Sequence, residues 1–423
     1  ALLFILIFSY LGHTESINFD LYFGTLHQEF SDFFLSGKKT TLTHPLWGYG
    51  ILRALLFNNI LLILSVQYLL LILSINMAFY YVRKNFNSLK LFVTLIIIGL
   101  PLFFFHSQLW PKSITSSLFI ISAILILNFI KSRKSYNLYF AIGICSFSLH
   151  FRSDYYFLIH IVCLFLFFLS LINKIQLFNS FLIIHLMLLP LGLFNLSENQ
   201  KYLETSSNMG HVLVLGLGQL PNNPWRLTPK DGDETFNNII KNKFGKGRKS
   251  TEVNIDQYLK STFLNFIINN PKSYFKKVIH GVKLFLLDPF YIGNLGNFRL
   301  AGEDYIEKLR QAENDFYNFN IFDGIINLKS AFKEISLINS IKIIITIITK
   351  IIGYFFIFSF IIILLKNFKK LFNNKSSLFL FIIIFYQFLV SILVFHMPTY
   401  NTSIFLIYVL LILTLFNKPK SVR

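Results

Sequence analysis

The chain has 423 residues and a net charge of +19, yet only 14% of its residues are charged and 54% are hydrophobic. A soluble protein carries about 25% charged residues, so the composition excludes an ordinary soluble domain and predicts an all-α polytopic membrane protein. Nor does the charge point to nucleic acid, because Lys and Arg bracket apolar runs and form no polar stripe interleaved with aromatics. Membrane lipids and phosphates suit them better.

Crossing a hydrocarbon core takes roughly 20 mostly apolar residues in a helix. Runs of that kind recur at about 1–12, 54–82, 89–106, 113–130, 137–151, 155–172, 177–195, 343–365, 377–395 and 402–416, which predicts about ten transmembrane helices. The first run is followed by no small-residue cleavage pattern and reads as a retained helix, not a cleaved signal peptide. Threading the runs puts Arg83 to Lys90, Lys131 to Lys134, Lys174, Lys366 to Lys375 and Lys418 to Arg423 on one side, with fourteen Lys or Arg and no carboxylate. All twenty carboxylates, from Glu15 to Glu334, fall on the other side. Short loops rich in Lys and Arg stay in the cytoplasm, so both termini are expected there and the acidic segments outside. Three regions follow: an N-terminal transmembrane module over 1–195, a mixed extracytoplasmic domain over 196–342 between the seventh and eighth spans, and a C-terminal transmembrane module over 343–423.

The first outer loop, 13–53, carries Asp20, Tyr22, Gly24, His27, Asp32 and the step His44-Pro45-Leu46-Trp47. A carboxylate partly desolvated at a membrane surface can have its pKa raised toward that of a general base. Taken alone, Asp20 reads more simply as a solvated loop acid, and a Pro after His44 most simply starts a helix. Trp110, Pro111 and Lys112 fill a short outer loop, where Lys112 is a phosphate ligand or an interfacial lysine. Arg152 and Asp154 flank Ser153 in the tight turn between the fifth and sixth spans. Three roles are open to Arg152: snorkelling to headgroups, binding the phosphate of a lipid carrier, or pairing with Asp154. Cys145 and Cys163 sit inside spans and read as small buried residues.

In the long segment, a Gly-rich apolar stretch from Met209 to Leu220 leads into a Pro, Asn and Asp-rich loop from Pro221 to Asp233. Helical patterns follow at Ile255 to Asn269 and Tyr274 to Leu287, the second announced by Pro271, with Leu284 to Leu287 placed to dip into the membrane surface. His396, Met397, Pro398 and Tyr400 close the last outer turn, where His396 and Tyr400 are either acceptor ligands or interfacial anchors. The ten His residues show no metal-ligand spacing and there is no nucleotide phosphate loop.

In this order, these features resemble the GT-C superfamily of membrane glycosyltransferases, near its protein mannosyltransferase and aminoarabinose transferase branch. The family's acidic residue in the first outer loop is matched by Asp20 with Tyr22, its His-Pro step by His44-Pro45, and its Arg after a Gly-containing span by Gly143 and Arg152, with Ser153 where a Pro is usual. The long segment is similar in Gly218-Gln219, Asn223-Pro224-Trp225, Asp231, Asp233 and Pro271. Lys112 departs from an acidic residue common in relatives, and His396 to Tyr400 from an Arg-Tyr pair. The resemblance implies an inverting transfer of a sugar from a polyprenyl-phosphate carrier to a lipid, glycan or protein acceptor at the outer face of a bacterial inner membrane. It implies Asp20 as general base, Arg152 and then Lys112 as ligands of the lipid phosphate, and Tyr22, His44, Asp154, His396 and Tyr400 as substrate contacts. No protein-bound metal is implied; a divalent cation is the one cofactor left open, and nucleic acid is no partner. The competing readings are an O-antigen polymerase or ligase, which would lean on several outer-loop arginines, and a lipid or solute transporter, which would need ionisable residues within spans. His160, His185 and Lys350, the clear examples of the latter, fall on separate predicted helices.

Overall fold

The computed structural model describes residues 47–107, 110–197, 208–229, 232–248, 250, 252–290, 308, 311, 312, 315, 320–333 and 337–416. The run at 1–12 and the loop residues up to 46, with Asp20, Tyr22 and His44, lie outside them. Every regular element among the described residues is a helix. Four of these, Ile60–Asn85 (α2), Pro111–Ser132 (α4), Lys174–Leu193 and Lys375–Leu393, are long and apolar enough to cross a membrane. The chain is a membrane protein, helical throughout its described regular structure.

Helix ends fall where local chemistry puts them. The run expected from residue 54 is broken by Phe57 and Asn58, both left-handed at φ 53° and 54°. Trp47–Leu55 is therefore a separate short helix, α1, and α2 begins after Asn59, whose side chain accepts from the N–H groups of Leu61 and Leu62. The expected 89–106 run splits into Leu89–Ile98 (α3) and a 3-10 segment, Leu100–Ser107. Pro101 disfavours the α conformation at the residue before it, which explains the break. Pro111 starts α4 at its first position, and left-handed Arg133 (φ 59°) ends it. Ser135–Ser148 (α5) and Tyr156–Phe168 (α6) follow, then Lys174–Ser197 (α7). The start of α7 is a reciprocal cap between Asn173 and Gln176, each side chain accepting from the other's backbone N–H.

The C-terminal part consists of Leu337–Lys366, Phe368–Asn373, Lys375–Leu393, Pro398–Ser403 and Phe405–Phe416. The last of these is buried from Phe405 to Leu415, and α4 is buried along most of its length. Enclosed by protein along most of their length, these two form the centre.

Four of the segments that charge assigns to one side, those at 83–90, 131–134, 174 and 366–375, gather at one end of the bundle. There Arg133 Nη1 donates to the Leu171 carbonyl at 3.0 Å, Gln176 to Ser135 at 2.9 Å, and Lys131 lies over the rings of Tyr81 and Phe86. At the opposite end, residues 48, 112, 150, 155 and 399–403 meet.

Within 196–342, Met209–Leu217 (α8), Glu234–Phe244 (α9) and Val253–Asn269 (α10) enclose a second core around Val214, Leu217, Trp225, Phe236 and Leu259. Pro271–Leu287 (α11) then docks on the end of the Lys375–Leu393 helix. Lys277 Nζ donates to the Ile392 and Val394 carbonyls at 3.0 and 2.8 Å, and Tyr274 to the Leu393 carbonyl at 3.0 Å. Gly281 and Gly216 allow this approach, since a Cβ on either would strike the backbone at 392 or 394. At 284–287, expected to dip at the membrane surface, and just beyond, the chain packs into the helical bundle. Phe285 packs on Phe388, Asp288 lies 3.6 Å from Lys350, and Phe290 is enclosed by Phe356, Phe405 and Tyr408.

The two ends give a direct topological expectation. Cysteines placed singly at Asp154 and Lys369 should be labelled by an impermeant maleimide from opposite faces of sealed vesicles, over a low background because native Cys145 and Cys163 are buried. Labelling of both from one face would contradict the arrangement.

Candidate functional site

The site is built on two helix starts that are polar where the rest of each run is apolar. Pro111-Lys112-Ser113-Ile114-Thr115-Ser116-Ser117 opens α4, and Pro398-Thr399-Tyr400-Asn401-Thr402-Ser403 forms the short helix, α16, before the last helix, Phe405–Phe416 (α17). Lys112 Nζ donates to Thr399 Oγ1 at 2.8 Å, and one turn on Ser116 Oγ donates to the Ser403 carbonyl. Both pairs are 287 residues apart in sequence, so the two starts run parallel and in register.

Lys112 is 1% exposed. Its ammonium sits 3.8 Å from the centre of the Tyr400 ring and 5.6 Å from that of Trp110, faces that attract a cation through the ring quadrupole. The same indole takes the Arg152 guanidinium at 5.5 Å. Arg152 is only half-buried. One Trp therefore carries two cations, Lys112 enclosed and Arg152 half-buried.

The turn that presents Arg152 is fixed from three directions. Tyr155 stacks on Phe119 at 4.0 Å, and its hydroxyl lies 3.2 Å from Ser403 Oγ. Ser403 already donates to the Tyr400 carbonyl, so Tyr155 is the donor in that pair. His150 Nε2 bonds the Met187 carbonyl at 2.7 Å, and the Gly48 N–H donates to the His150 carbonyl at 3.1 Å. Tyr49 holds α1 against the bundle by donating to Gln67, whose amide donates to the His106 carbonyl. The chain thus enters the described region at 47–49 directly beside the Arg152 turn. Asp154 lies in the 3-10 segment Ser153–Tyr155 of that turn; its side chain is outside the described residues.

Lys112, Arg152 and Tyr400 are accordingly brought together around Trp110, and His396 is not among them. Gln219 grips the His396 backbone with both ends of its amide, and His396 Nε2 bonds the Asp288 carbonyl at 3.0 Å. Burial, opposed by that bond and reinforced by Lys277 and His280, pushes the His396 pKa down to about 4. Its role is to tie the 394–400 turn to the 208–290 segment. Three motif residues of that segment make structural contacts, while Asp231 lies outside the described residues. Asn223 cross-links the backbone at 220 and 227, Trp225 lies in the second core, and Asp233 caps α9. The residues that sequence reading missed are Thr399, Ser116, Ser403, Tyr155 and Asn401. Asn401 is fully buried, its Oδ1 accepting from Tyr408 while its Nδ2 meets no acceptor. The two Pro-led polar helix starts were the signal for most of them.

Among the described residues no three His, Cys, Asp or Glu side chains cluster closely enough to hold a metal ion. Comparisons with protein-family models, with curated proteins and with solved structures find no match to this chain. Its class therefore stands on the fold: a membrane protein, helical throughout the described residues, with two cations on one tryptophan and a tyrosine on the inner of the two at one end.

Lys112→Ala empties the space among Thr399, Tyr400 and Trp110 and should cost about 2–4 kcal/mol of stability in detergent unfolding. Arg152→Ala, at a half-exposed site, should stay within about 1 kcal/mol of wild type. A pH series tests His396. Its buried form is neutral, so the folded protein binds fewer protons than the unfolded chain between about pH 4 and 6.5. The stability it contributes is intact above that window and lost as pH falls through it, and His396→Gln should flatten the slope.

Proposed function

We propose that this protein is a GT-C-type membrane glycosyltransferase that moves a sugar from a polyprenyl-phosphate carrier to an acceptor at the outer face. In this reading the chain spans the membrane ten times, with both termini in the cytoplasm and 196–342 outside. The observation that carries it is the meeting of Lys112, Arg152 and Tyr400 about Trp110, at the end of the bundle opposite the carboxylate-free loops.

The chemistry is a single displacement. The acceptor hydroxyl oxygen bonds to the anomeric carbon as the bond to the carrier phosphate breaks, the electron pair leaves on the phosphate, and the hydroxyl proton passes to Asp20, giving inversion. Negative charge grows on the leaving phosphate, which calls for a positioned cation. Arg152 is that cation, with planar donors suited to phosphate oxygens and a turn that Tyr155 and His150 hold still. Lys112 faces inward, adds positive field and fixes the indole under Arg152. In the last turn Tyr400, whose ring holds the Lys112 ammonium, is assigned to the substrate side in this reading, and His396 is engaged by the Asp288 carbonyl. Tyr22, His44 and Asp154 complete the acceptor side.

The test is turnover of radiolabelled polyprenyl-phosphate sugars by protein reconstituted in lipid with candidate acceptors. Asp20→Asn and Arg152→Ala should each reduce transfer by about 10²-fold or more with the fold retained. Full turnover by Asp20→Asn would remove the assigned base. No turnover by folded wild type with any monophosphate donor would move the assignment to a pyrophosphate-linked polymerase or a transporter.

A further inference from the structure

The opposite end of the bundle carries a feature that the sugar-transfer reading does not use. The α6 helix ends with Ser170 in the left-handed region (φ 54°) and the Leu171 N–H returning to the Leu166 carbonyl at 2.9 Å. Two carbonyls beyond this cap are met by cations from other elements: Lys375 Nζ donates to Leu169 at 3.2 Å, and Arg133 Nη1 to Leu171 at 3.0 Å. A neutral carbonyl occupies one donor and leaves the charge in place; the ammonium has two further N–H groups and the guanidinium four. Both side chains belong to exposed residues. None of residues 55–153, 155–197 and 335–416, which supply every element here, is Asp or Glu. These are cations pinned in position by bonds that do not neutralise them.

Beside them the turn forms an open groove of about 600 Å³, with Phe167, Phe168, Ser170, Asn173 and Gln176 among its walls. Its walls are mixed in character: Ser170 and Asn173 supply polar atoms, and Phe168 is a ring 78% exposed. Next to the groove on α7, Ile175 and Phe178 are 71% and 66% exposed. One turn and the two helix ends that flank it thus supply charge, hydroxyl and amide groups and bare apolar side chains, the kinds of group that meet a phospholipid along its length.

We propose that this groove is a binding site for an anionic phospholipid, with its phosphate between Arg133 and Lys375, its glycerol region against Ser170 and Asn173, and its acyl chains along Phe168, Ile175 and Phe178. The cations are already held in place, so little side-chain freedom is lost on binding. A free phosphate would leave the apolar wall uncovered, which is why the occupant is a lipid.

The experiment is native mass spectrometry of the full chain in detergent, titrated with phosphatidylglycerol, phosphatidylcholine or inorganic phosphate. Phosphatidylglycerol should bind about tenfold or more tightly than phosphatidylcholine, and inorganic phosphate should not displace it. Arg133→Gln with Lys375→Gln should weaken it about tenfold. Lys369→Gln with Lys370→Gln, an equal loss of charge on neighbouring exposed residues, should leave it within about twofold. Equal weakening by both pairs, equal binding of phosphatidylcholine, or displacement by phosphate would overturn the site. Should the Arg133 and Lys375 pair fail to fold, a photoactivatable phosphatidylglycerol on wild type decides: crosslinks within 167–178 support the groove, and crosslinks elsewhere reject it.

Discussion

The structure hangs on the polar ladder between the starts of α4 and α16. In lipid no water waits to satisfy a polar group, so hydroxyls and ammonium groups inside a bundle must find each other. Lys112 with Thr399 and Ser116 with Ser403 do so one helical turn apart and at the same sequence offset. Sliding one helix by a turn would separate both pairs at once, so the ladder fixes register in a way that Leu-on-Leu contacts cannot. That register seats α17 in the centre, positions Tyr400 over the Lys112 ammonium and, through Tyr155 and Ser403, steadies the turn that carries Arg152. The core and the site share one set of bonds.

Charge inside the bundle follows the same rule. Lys350, which the sequence leaves as an isolated ionisable residue in a span, lies 3.6 Å from Asp288, delivered from the segment after α11. The two remain only 13% and 18% exposed, a setting in which each ion requires the other. Lys277 is enclosed as well, and burial draws its pKa down to about 7, while two helix-end carbonyls accept its hydrogen bonds. Buried cations therefore recur at the places where separate parts of the chain are joined.

Helix positions were legible because long apolar runs leave few alternatives, and α4 and α7 fall within a few residues of the runs that announced them. Their ends depended on single residues, as Asn58 and Pro101 show. Which helix lies in the middle was not legible. A span that faces lipid and one that faces protein are both apolar, so α4 and α17 carry no pattern to mark them as central. His160 and His185 illustrate the same gap: on separate helices in the sequence, their rings stand 6.3 Å apart because α6 and α7 are neighbours. Arg152, Lys112 and Tyr400 could be picked out by their places at span ends, whereas Thr399 and Ser403 acquire meaning only from partners 287 residues away. His396 looked equally suitable and is used for assembly instead, since nothing in its local sequence reveals the Asp288 carbonyl that claims it.

The burial of Phe290 bears on how the protein is made. Its seat is formed by Phe356, Phe405 and Tyr408, and the carbonyls that receive Lys277 lie 115 and 117 residues further along the chain. All of these leave the ribosome after the segment they are to hold. During synthesis α11 and the residues after it must wait at the membrane with an aromatic ring and an ammonium group still without their partners. The Phe405–Phe416 helix closes the seam. The 208–290 segment and the helices over 337–416 thus complete one another, and the earlier segment finishes folding only once the later helices have been made.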